Sequence, residues 1–119
     1  MTIAALWNQR CRQTPQHTFL IQNKQRYSYE DVDQLSEEAG DMLDAYGLVS
    51  GDVVAIQLAT NVTAIQLFIA CFKRGLTILP LNPHLDDEET SSLIKKMAPT
   101  VIITKSDGCN SLSFNNQLL

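Results

Sequence analysis

Three short apolar runs in the second half of the chain limit the fold more than any other feature. They cover residues 53–58, 76–80 and 100–104, and successive positions within them are apolar rather than alternate ones. A strand with this pattern needs cover on both of its faces, which parallel sheets obtain from helical crossovers. Helical segments separate the runs. The order therefore predicts an α/β fold with a parallel βαβαβ unit and right-handed crossovers.

The two crossover segments carry their own start and stop signals. Asn61 is placed to cap a helix over residues 62–74, and Gly75 is placed to end it in the left-handed region. Asp86 is placed to cap the second helix, which stops before Pro99. These signals support the assignment of the runs as strands.

The first half of the chain predicts a helix, a hairpin and a longer helix. Thr2 can cap a first helix that stops near Thr14, and residues 18–27 alternate as a β-hairpin does. Ser28 opens the longer helix and Gly47 ends it. At the other end of the chain, residues 105–119 are rich in Ser and Asn, which predicts an irregular tail.

The longer helix has an acidic surface. Acids in this number could hold a metal ion or a partner, but such a run is typical of a solvated helix face. Gly40 is interpreted as tolerated within the helix. The acidic residues are Glu30, Asp33, Glu37, Glu38 and Asp41.

Charge and hydropathy exclude two classes of partner. The net charge is −4, from nine basic and thirteen acidic residues, whereas nucleic acids and anionic membranes require a basic surface. The basic pairs at 73–74 and 95–96 fit solvated helix ends and have no aromatic residues interleaved. The longest apolar stretch, residues 64–72, is too short to span a bilayer. We therefore expect no nucleic-acid binding and no membrane span.

The cysteines indicate a reducing compartment. Cys11, Cys71 and Cys109 form an odd set without a C-x-x-C pair, whereas small secreted domains carry even, dense sets. The N-terminus has neither the basic nor the long apolar region of a secretion signal. These observations predict a cytoplasmic protein.

No catalytic, cofactor-binding or metal-binding residue is assigned from the sequence. The glycines form no phosphate-binding loop pattern, and His17 and His84 lie too far apart in sequence to indicate a zinc site. Cys71 falls on the apolar side of a predicted helix close to Phe68. That environment predicts a buried thiol with a raised pKa rather than a nucleophile.

Five segments in order resemble the acyl-adenylate-forming (AMP-binding) superfamily. They are Trp7 to Pro15, the Tyr-Ser-Tyr-Glu start of the longer helix at 27–32, the Gly-Asp start of a strand at 47–56, residues 70–83, and residues 99–103. The fourth is the most informative, since it resembles the helix–glycine–strand–Pro-x-Asn-Pro segment of acyl-CoA synthetases. The resemblance covers residues 3–104.

Details of that segment favour an acyl-CoA ligase type. Asn82 stands where an aspartate would indicate the adenylation domains of peptide synthetases. Residues 79–85 resemble 2-succinylbenzoate–CoA ligases, while fatty-acyl and carnitine-type ligases remain open alternatives.

The resemblance implies an activity for the intact protein. A carboxylate would attack ATP to form an acyl-AMP, and the CoA thiol would then displace AMP. ATP, Mg²⁺ and CoA are implied for that protein, but its catalytic parts lie downstream of the matched region. Residues 1–119 are therefore expected to be a single partial domain that acts as scaffold, binds no cofactor and is inactive alone. The expected partner is the remainder of the ligase chain, or a second copy through the uncovered sheet.

The alternative is a stand-alone flavodoxin-like binding or interaction domain without catalysis. A phospho-receiver would need acids at the strand ends, but Ala59 and Thr60 follow the first run and the second ends at Pro80. A flavin site would need a Ser/Thr/Gly-rich loop there, which the sequence offers poorly. A truncated relative that acts through protein contacts also stays open.

Overall fold

The computed structural model describes residues 2–105 and 112–116. The helices are α1 (Ile3–Gln13), α2 (Tyr29–Ala45), α3 (Val62–Arg74) and α4 (Asp87–Met97). The strands are β1 (Thr18–Gln22), β2 (Gln25–Ser28), β3 (Val53–Gln57), β4 (Thr77–Pro80), β5 (Val101–Lys105) and β6 (Leu112–Asn116).

A four-stranded sheet in the order β4-β3-β5-β6 forms the centre of the molecule. Strand β3 pairs in parallel with β4 on one side and with β5 on the other. The first crossover helix, α3, packs on one face of the sheet through Leu67 and Ala70, and α4 packs on the opposite face through Leu93 and Ile94. The predicted α/β fold, with a helix and hairpin before a parallel βαβαβ sheet, is confirmed.

The tail differs from the expectation of an irregular segment. Strand β6 pairs antiparallel with β5, with Phe114 opposite Ile103 and Leu112 opposite Lys105. Leu112 and Phe114 alternate with polar neighbours, which is the period of a strand with one apolar side. The Ser and Asn content of the segment hides this short signal. Residues 106–111 and 117–119 lie outside the described residues.

The helices begin at the residues that can cap them. Thr2, Asn61 and Asp86 each accept a hydrogen bond from the backbone N–H three positions later. Ser28 and Asp31 form a reciprocal capping box, with N···O distances of 2.9 and 3.1 Å. Aspartate therefore fills the position where glutamate or glutamine is usual.

Gly75 ends α3 in the left-handed region, as the sequence predicts. Its φ is 70°, and its N–H donates to the carbonyl groups of Cys71 and Phe72. A Cβ atom at this position would lie 2.7 Å from Ser50 Oγ. Both the backbone angle and the close approach therefore require glycine.

The hydrophobic core is divided unequally between the two faces of the sheet. On the α2/α3 face, α2 packs against α3 and both cover the sheet. On the opposite face, α4 is the described helix that packs on the sheet, and it does so through the half-buried Leu93 and Ile94. The buried cluster of the α2/α3 face is Ala39, Leu43, Val54, Ile56, Leu67, Ala70, Cys71, Leu76, Val101 and Ile103. The buried cluster of the α4 face is Ala55, Leu81 and Ile102.

An aromatic cluster joins α1 and the β1–β2 hairpin to α2. The ring of Trp7 packs edge-on against Phe19, with centroids 5.0 Å apart, and Phe19 lies 5.0 Å from Tyr29. The indole N–H of Trp7 donates to Asp33 Oδ1 at 2.8 Å. Since α1 buries none of its residues fully, these contacts are its main attachment.

Candidate functional site

A crevice opens where the carboxyl ends of β3 and β5 meet. The crossover after β3 leads to β4 on one side, and the crossover after β4 returns past β3 to β5 on the other. Open α/β sheets bind ligands at such a switch point. The cavity has a volume of about 460 Å³, which is within the range of small-molecule sites. It is lined by Gln57, Leu58, Ala59, Asn61, Pro83, Leu85, Asp87, Thr90 and Thr104.

Hydrogen bonds from one glutamine hold the walls of the crevice together. Gln57 Nε2, at the end of β3, donates to the carbonyl oxygen of Asn82 at 3.1 Å and to Thr90 Oγ1 at 2.9 Å. The Asn82 side chain in turn accepts the N–H of His84 at 2.8 Å. The sheet, the loop after β4 and helix α4 are thus tied at one point.

The helix N-termini at the crevice are occupied by their own caps. Asn61 Oδ1 accepts the N–H of Ala64 at 3.0 Å, and Asp86 Oδ1 accepts the N–H of Glu89 at 2.7 Å. The first turn of α4 is also acidic, through Asp87, Glu88 and Glu89. An anion is therefore disfavoured at α4, although a helix N-terminus would otherwise attract it.

Among the described residues, the lining can form hydrogen bonds but offers no nucleophile paired with a base. These residues include one carboxylate, from Asp87, and no lysine, arginine, histidine or cysteine. Covalent catalysis needs a nucleophile and a base within hydrogen-bonding reach, and phosphate chemistry needs positive charge. The described part of the crevice can hold a neutral polar group through hydrogen bonds.

The residues that the sequence singled out are not brought into one site. His17 and His84 are both exposed, in the turn before β1 and in the loop after β4. Cys71 is fully buried, and burial raises the pKa of its thiol to about 12. Burial, with the Asp33 carboxylate adding to it, raises the pKa of Cys11 to about 11. Both thiols are protonated at neutral pH and are therefore poor nucleophiles.

Within residues 2–105 and 112–116, no group of three or more His, Cys, Asp or Glu side chains is placed to hold a metal ion. Over the same residues, every helix is too short or too polar to cross a membrane.

The charge network between α2 and α3 corrects the expectation of a solvated lysine at position 73, whereas most of the α2 acids are exposed, as the sequence predicts. The Lys73 side chain is only 8% exposed, and its ammonium group lies 2.5 Å from Asp33 Oδ1 and 2.7 Å from Glu37 Oε1. It also donates to Ser36 Oγ at 3.0 Å. The reason is that the last turn of α3 crosses the acidic side of α2. Asp33 thereby joins Lys73 of α3 to Trp7 of α1.

Arg74 extends this network over a glycine. Its guanidinium group lies near the carboxylates of Glu37, Asp41 and Asp44, at 3.2 to 3.9 Å. A Cβ atom on Gly40 would lie 2.6 Å from one of its nitrogen atoms. The sequence indicated that Gly40 was merely tolerated within the helix. The structure shows instead that its missing side chain makes room for Arg74. The acids of α2 recur at intervals of three and four residues, which places them on one side of the helix. That spacing was the signal from which a shared cationic partner could have been predicted.

Comparison with known proteins gives this arrangement a family. The sequence model described as AMP-binding enzyme matches residues 7–118. Vanchrobactin synthetase VabF of Vibrio anguillarum is 23% identical over 92% of this chain, which spans 4% of that protein. Long-chain fatty acid transport protein 6 of Mus musculus is 28% identical over 85% of this chain, which spans 16% of that protein.

Solved structures share the fold. The N-terminal subdomain of Klebsiella oxytoca NpsA, in complex with anthranilyl-AMSN, superposes with a TM-score of 0.84 at 16% identity. That alignment covers 92% of this chain and 29% of the NpsA subdomain chain. Mycobacterium tuberculosis fatty acyl CoA synthetase gives a TM-score of 0.80 at 25% identity, covering 85% of this chain and 20% of its own.

The chain thus spans a small part of each relative, and its fold corresponds to the N-terminal part of adenylate-forming proteins. With nearly all of its length matched, this chain belongs to the AMP-binding enzyme family.

Proposed function

We propose that this region is the N-terminal scaffold of an ATP-dependent acyl-CoA synthetase. In the intact protein a carboxylate and ATP would give an acyl-AMP, and CoA would then take the acyl group. The observation that carries the proposal is the family match over residues 7–118. Residues 1–119 would form one partial domain, in a protein that we place in the cytoplasm from its cysteine usage.

The acyl-CoA type is the finer part of the proposal. The family relatives include a vanchrobactin synthetase as well as a fatty acyl CoA synthetase, so membership of the family alone does not choose the acceptor. Asn82 in the Pro-x-Asn-Pro segment supports CoA, and residues 79–85 resemble 2-succinylbenzoate–CoA ligases. We therefore include 2-succinylbenzoate among the candidate substrates.

The described residues do not fit ATP, Mg²⁺ and CoA by themselves. The described part of the crevice lining has no lysine or arginine, and the first turn of α4 carries three acids. A triphosphate placed there would meet negative charge without a counter-charge or free backbone amides. We assign these cofactors to the remainder of the intact protein, and the role of this region is to support the clefts that hold them.

The flavodoxin-like alternative is not favoured. The sheet order β4-β3-β5 is the order found in flavodoxin-like folds, in which the first parallel strand lies between the next two. Fold alone does not assign function, however, and the family match favours the ligase.

A pyrophosphate exchange assay tests the inactivity of the chain alone. We expect only background exchange with ATP and a panel of acids that includes 2-succinylbenzoate and medium-chain fatty acids. Loss of one preorganised donor costs about 10²- to 10³-fold in rate, and here the whole phosphate-binding set is missing. Exchange that disappeared on mutation of a residue within 1–119 would contradict the scaffold role.

A chimera tests the scaffold role directly. Residues 7–118 would replace the aligned region of the mycobacterial fatty acyl CoA synthetase, and we expect the chimera to activate fatty acids and to form acyl-CoA. The matched control carries Gly75→Val in the same chimera. A chimera with native circular dichroism but no exchange activity would contradict the proposal. Acyl-AMP formation without transfer to CoA would contradict only the choice of acceptor.

A further inference from the structure

Residues 82–98, which comprise most of the loop after β4 together with helix α4, lie between two points that are fixed to β3. At one end the N–H of Leu81 donates to the carbonyl oxygen of Ile56 at 2.9 Å. At the other end the N–H of Thr100 donates to the carbonyl oxygen of Val53 at 2.8 Å. Between these points no side chain is fully buried. The segment is therefore held less firmly than the sheet beside it.

This segment supplies one wall of the crevice. Two residues of α4 and two of the loop before it line the cavity, and the other described lining residues lie at or after the carboxyl ends of β3 and β5. Those on the segment are Pro83, Leu85, Asp87 and Thr90. Movement of the segment away from the sheet would widen the crevice, and it would leave the pairing of β3 with β4 and β5 unchanged.

The side chain of Gln57 ties this segment to the sheet. Gln57 Nε2, on β3, donates to the carbonyl oxygen of Asn82 at 3.1 Å and to Thr90 Oγ1 at 2.9 Å. The apolar contacts of α4 with the sheet come from Leu93 and Ile94, which are half-buried. Rotation of Gln57 therefore breaks both hydrogen bonds at once, and α4 is then held by apolar surface that is already partly open to water.

The backbone at the end of α4 is strained. Ala98 has a φ of 45° and a ψ of 58°, and its N–H donates to the carbonyl oxygen of Ile94 at 2.8 Å. Left-handed backbone is unfavourable for alanine, and the proline that follows favours an extended conformation at this position. Pro99 is itself fully buried, so the strain is not relieved from that side. The position of α4 against the sheet therefore holds Ala98 in its strained conformation, and movement of α4 would release the strain.

We propose that residues 82–98 form a lid over the crevice, hinged at Ala98 and latched by Gln57. The structure holds the lid closed. When the latch is released, Ala98 returns to an extended conformation and α4 leaves the sheet, while the α2/α3 face stays folded. The lid thereby controls access to the crevice. The proposal does not depend on ligase chemistry, because it concerns the motion of this chain alone.

Native-state hydrogen exchange of the purified chain, in a series of low urea concentrations, tests the lid. A helix of 11 residues is marginal by itself in water, so the amides of α4 exchange when it leaves the sheet. We expect them to exchange faster than the amides of α3 and with a smaller urea dependence, because opening of the lid exposes less surface than global unfolding does.

Two variants on different elements test the latch and the hinge. Gln57→Met removes both hydrogen bonds and should speed exchange in α4 about 5- to 30-fold. Ala98→Gly removes the strain of the closed position and should slow exchange in α4 about 3- to 10-fold. Gln34→Met is the matched control, because it makes the same substitution at an exposed position of α2 and should leave exchange in α4 unchanged.

Circular dichroism identifies any variant that fails to fold, and the wild-type comparison of α4 with α3 tests the lid without a variant. Equal exchange rates and urea dependence in α4 and α3 would overturn the lid, since both helices would then exchange by global unfolding. An effect of Gln57→Met no larger than that of Gln34→Met would overturn the latch. Unchanged or faster exchange in Ala98→Gly would overturn the hinge.

Discussion

The two apolar faces of the central sheet are covered by helices to different extents. Both faces of β3 and β5 are apolar and need cover, but one face receives two helices and the other receives one. Helix α3 contributes five buried residues, whereas α4 contributes none. Stability therefore resides on the α2/α3 face. Helix α4, which forms a wall of the crevice, can therefore move at less cost than α3.

The polar contacts follow the same division. The α2/α3 face is closed at one end by the nearly buried ammonium group of Lys73 and by Arg74. The α4 side is tied to the sheet by a neutral hydrogen bond from Gln57 to Thr90. A charge-assisted network contributes more than a neutral bond when it is shielded from water. The face that carries the larger core thus also carries the stronger polar contacts.

The largest difference between the faces should appear on removing one leucine from each. Leu67→Ala removes a fully buried side chain of α3 and should cost about 2–5 kcal/mol of unfolding free energy, because a cavity is left in the packed cluster. Leu93→Ala on α4, the matched control, should cost about 1 kcal/mol, because its site is already partly open to water. Urea unfolding followed by circular dichroism measures both. Equal costs would show that the α4 face is as well packed as the other.

Lys73→Met should have the next largest effect, about 2 kcal/mol, because it removes the cation shared by Asp33 and Glu37 and leaves only Arg74 near Glu37. The figure is held down by the partial exposure of both carboxylates. Lys96→Met is the control, since Lys96 is exposed in the last turn of α4. If the two variants lost the same stability, the network would be no stronger than a solvated lysine.

The stability that Lys73 contributes should depend on pH in a defined direction. Burial lowers the pKa of Lys73, but hydrogen bonds and charges from Asp33 and Glu37 outweigh it and raise the pKa above its usual 10.5. A raised pKa in the folded state adds stability that is complete below the unfolded pKa and is lost as the pH rises through the folded one. The difference in unfolding free energy between wild type and Lys73→Met should stay constant from neutral pH to about 10 and decrease above it. A gap that narrowed below pH 9 would contradict this account.

The sequence predicts elements better than it predicts contacts between them. The caps at Asn61 and Asp86 and the left-handed Gly75 are local, so their residue types were enough to place them. The burial of Lys73 depends on which turn of α3 crosses α2, a packing detail with no local signature. The strand at 112–116 had only a two-position alternation within a polar segment.

The crevice shows the same limit. The predicted βαβαβ unit left the order of its strands open, so the switch point beside β3, and the crevice there, came from the structure. The hydrogen bond that closes it joins Gln57 to Thr90, which are 33 positions apart in sequence. Both residue types are common on exposed helices and strand ends. Their pairing therefore required the three-dimensional structure.

Gly75→Val tests the link between α3 and β4 and should cost over about 1 kcal/mol. The replacement strains a φ of 70° and places its Cβ atom against Ser50 Oγ. Gly47→Ala separates the two causes, since Gly47 has a φ of 79° and open space around it. Thermal and urea unfolding should show a smaller loss for Gly47→Ala. An unchanged stability of Gly75→Val would mean that α3 does not end where the structure places it.

The smallest effect is expected at Gly40, on the α2/α3 face. There the helix preference for alanine opposes the space that the Arg74 guanidinium group needs. Alanine in a helix interior is favoured over glycine by about 1 kcal/mol. Its Cβ atom would displace the Arg74 guanidinium group, which lies within 3.0 Å of that position. The displaced group would weaken its contacts with Asp41 and Asp44, which are exposed pairs worth about 0–1 kcal/mol. Gly40→Ala alone should therefore leave stability within about 0.5 kcal/mol of wild type.

A double-mutant cycle with Arg74→Met separates the two contributions that cancel in Gly40→Ala. With the guanidinium group absent, Gly40→Ala should stabilise the chain by about 1 kcal/mol, since only the helix preference remains. Ala5→Gly on the exposed side of α1 measures the alanine-to-glycine difference at a second helix position. An equal effect of Gly40→Ala in both backgrounds would show that Arg74 does not rest on the glycine.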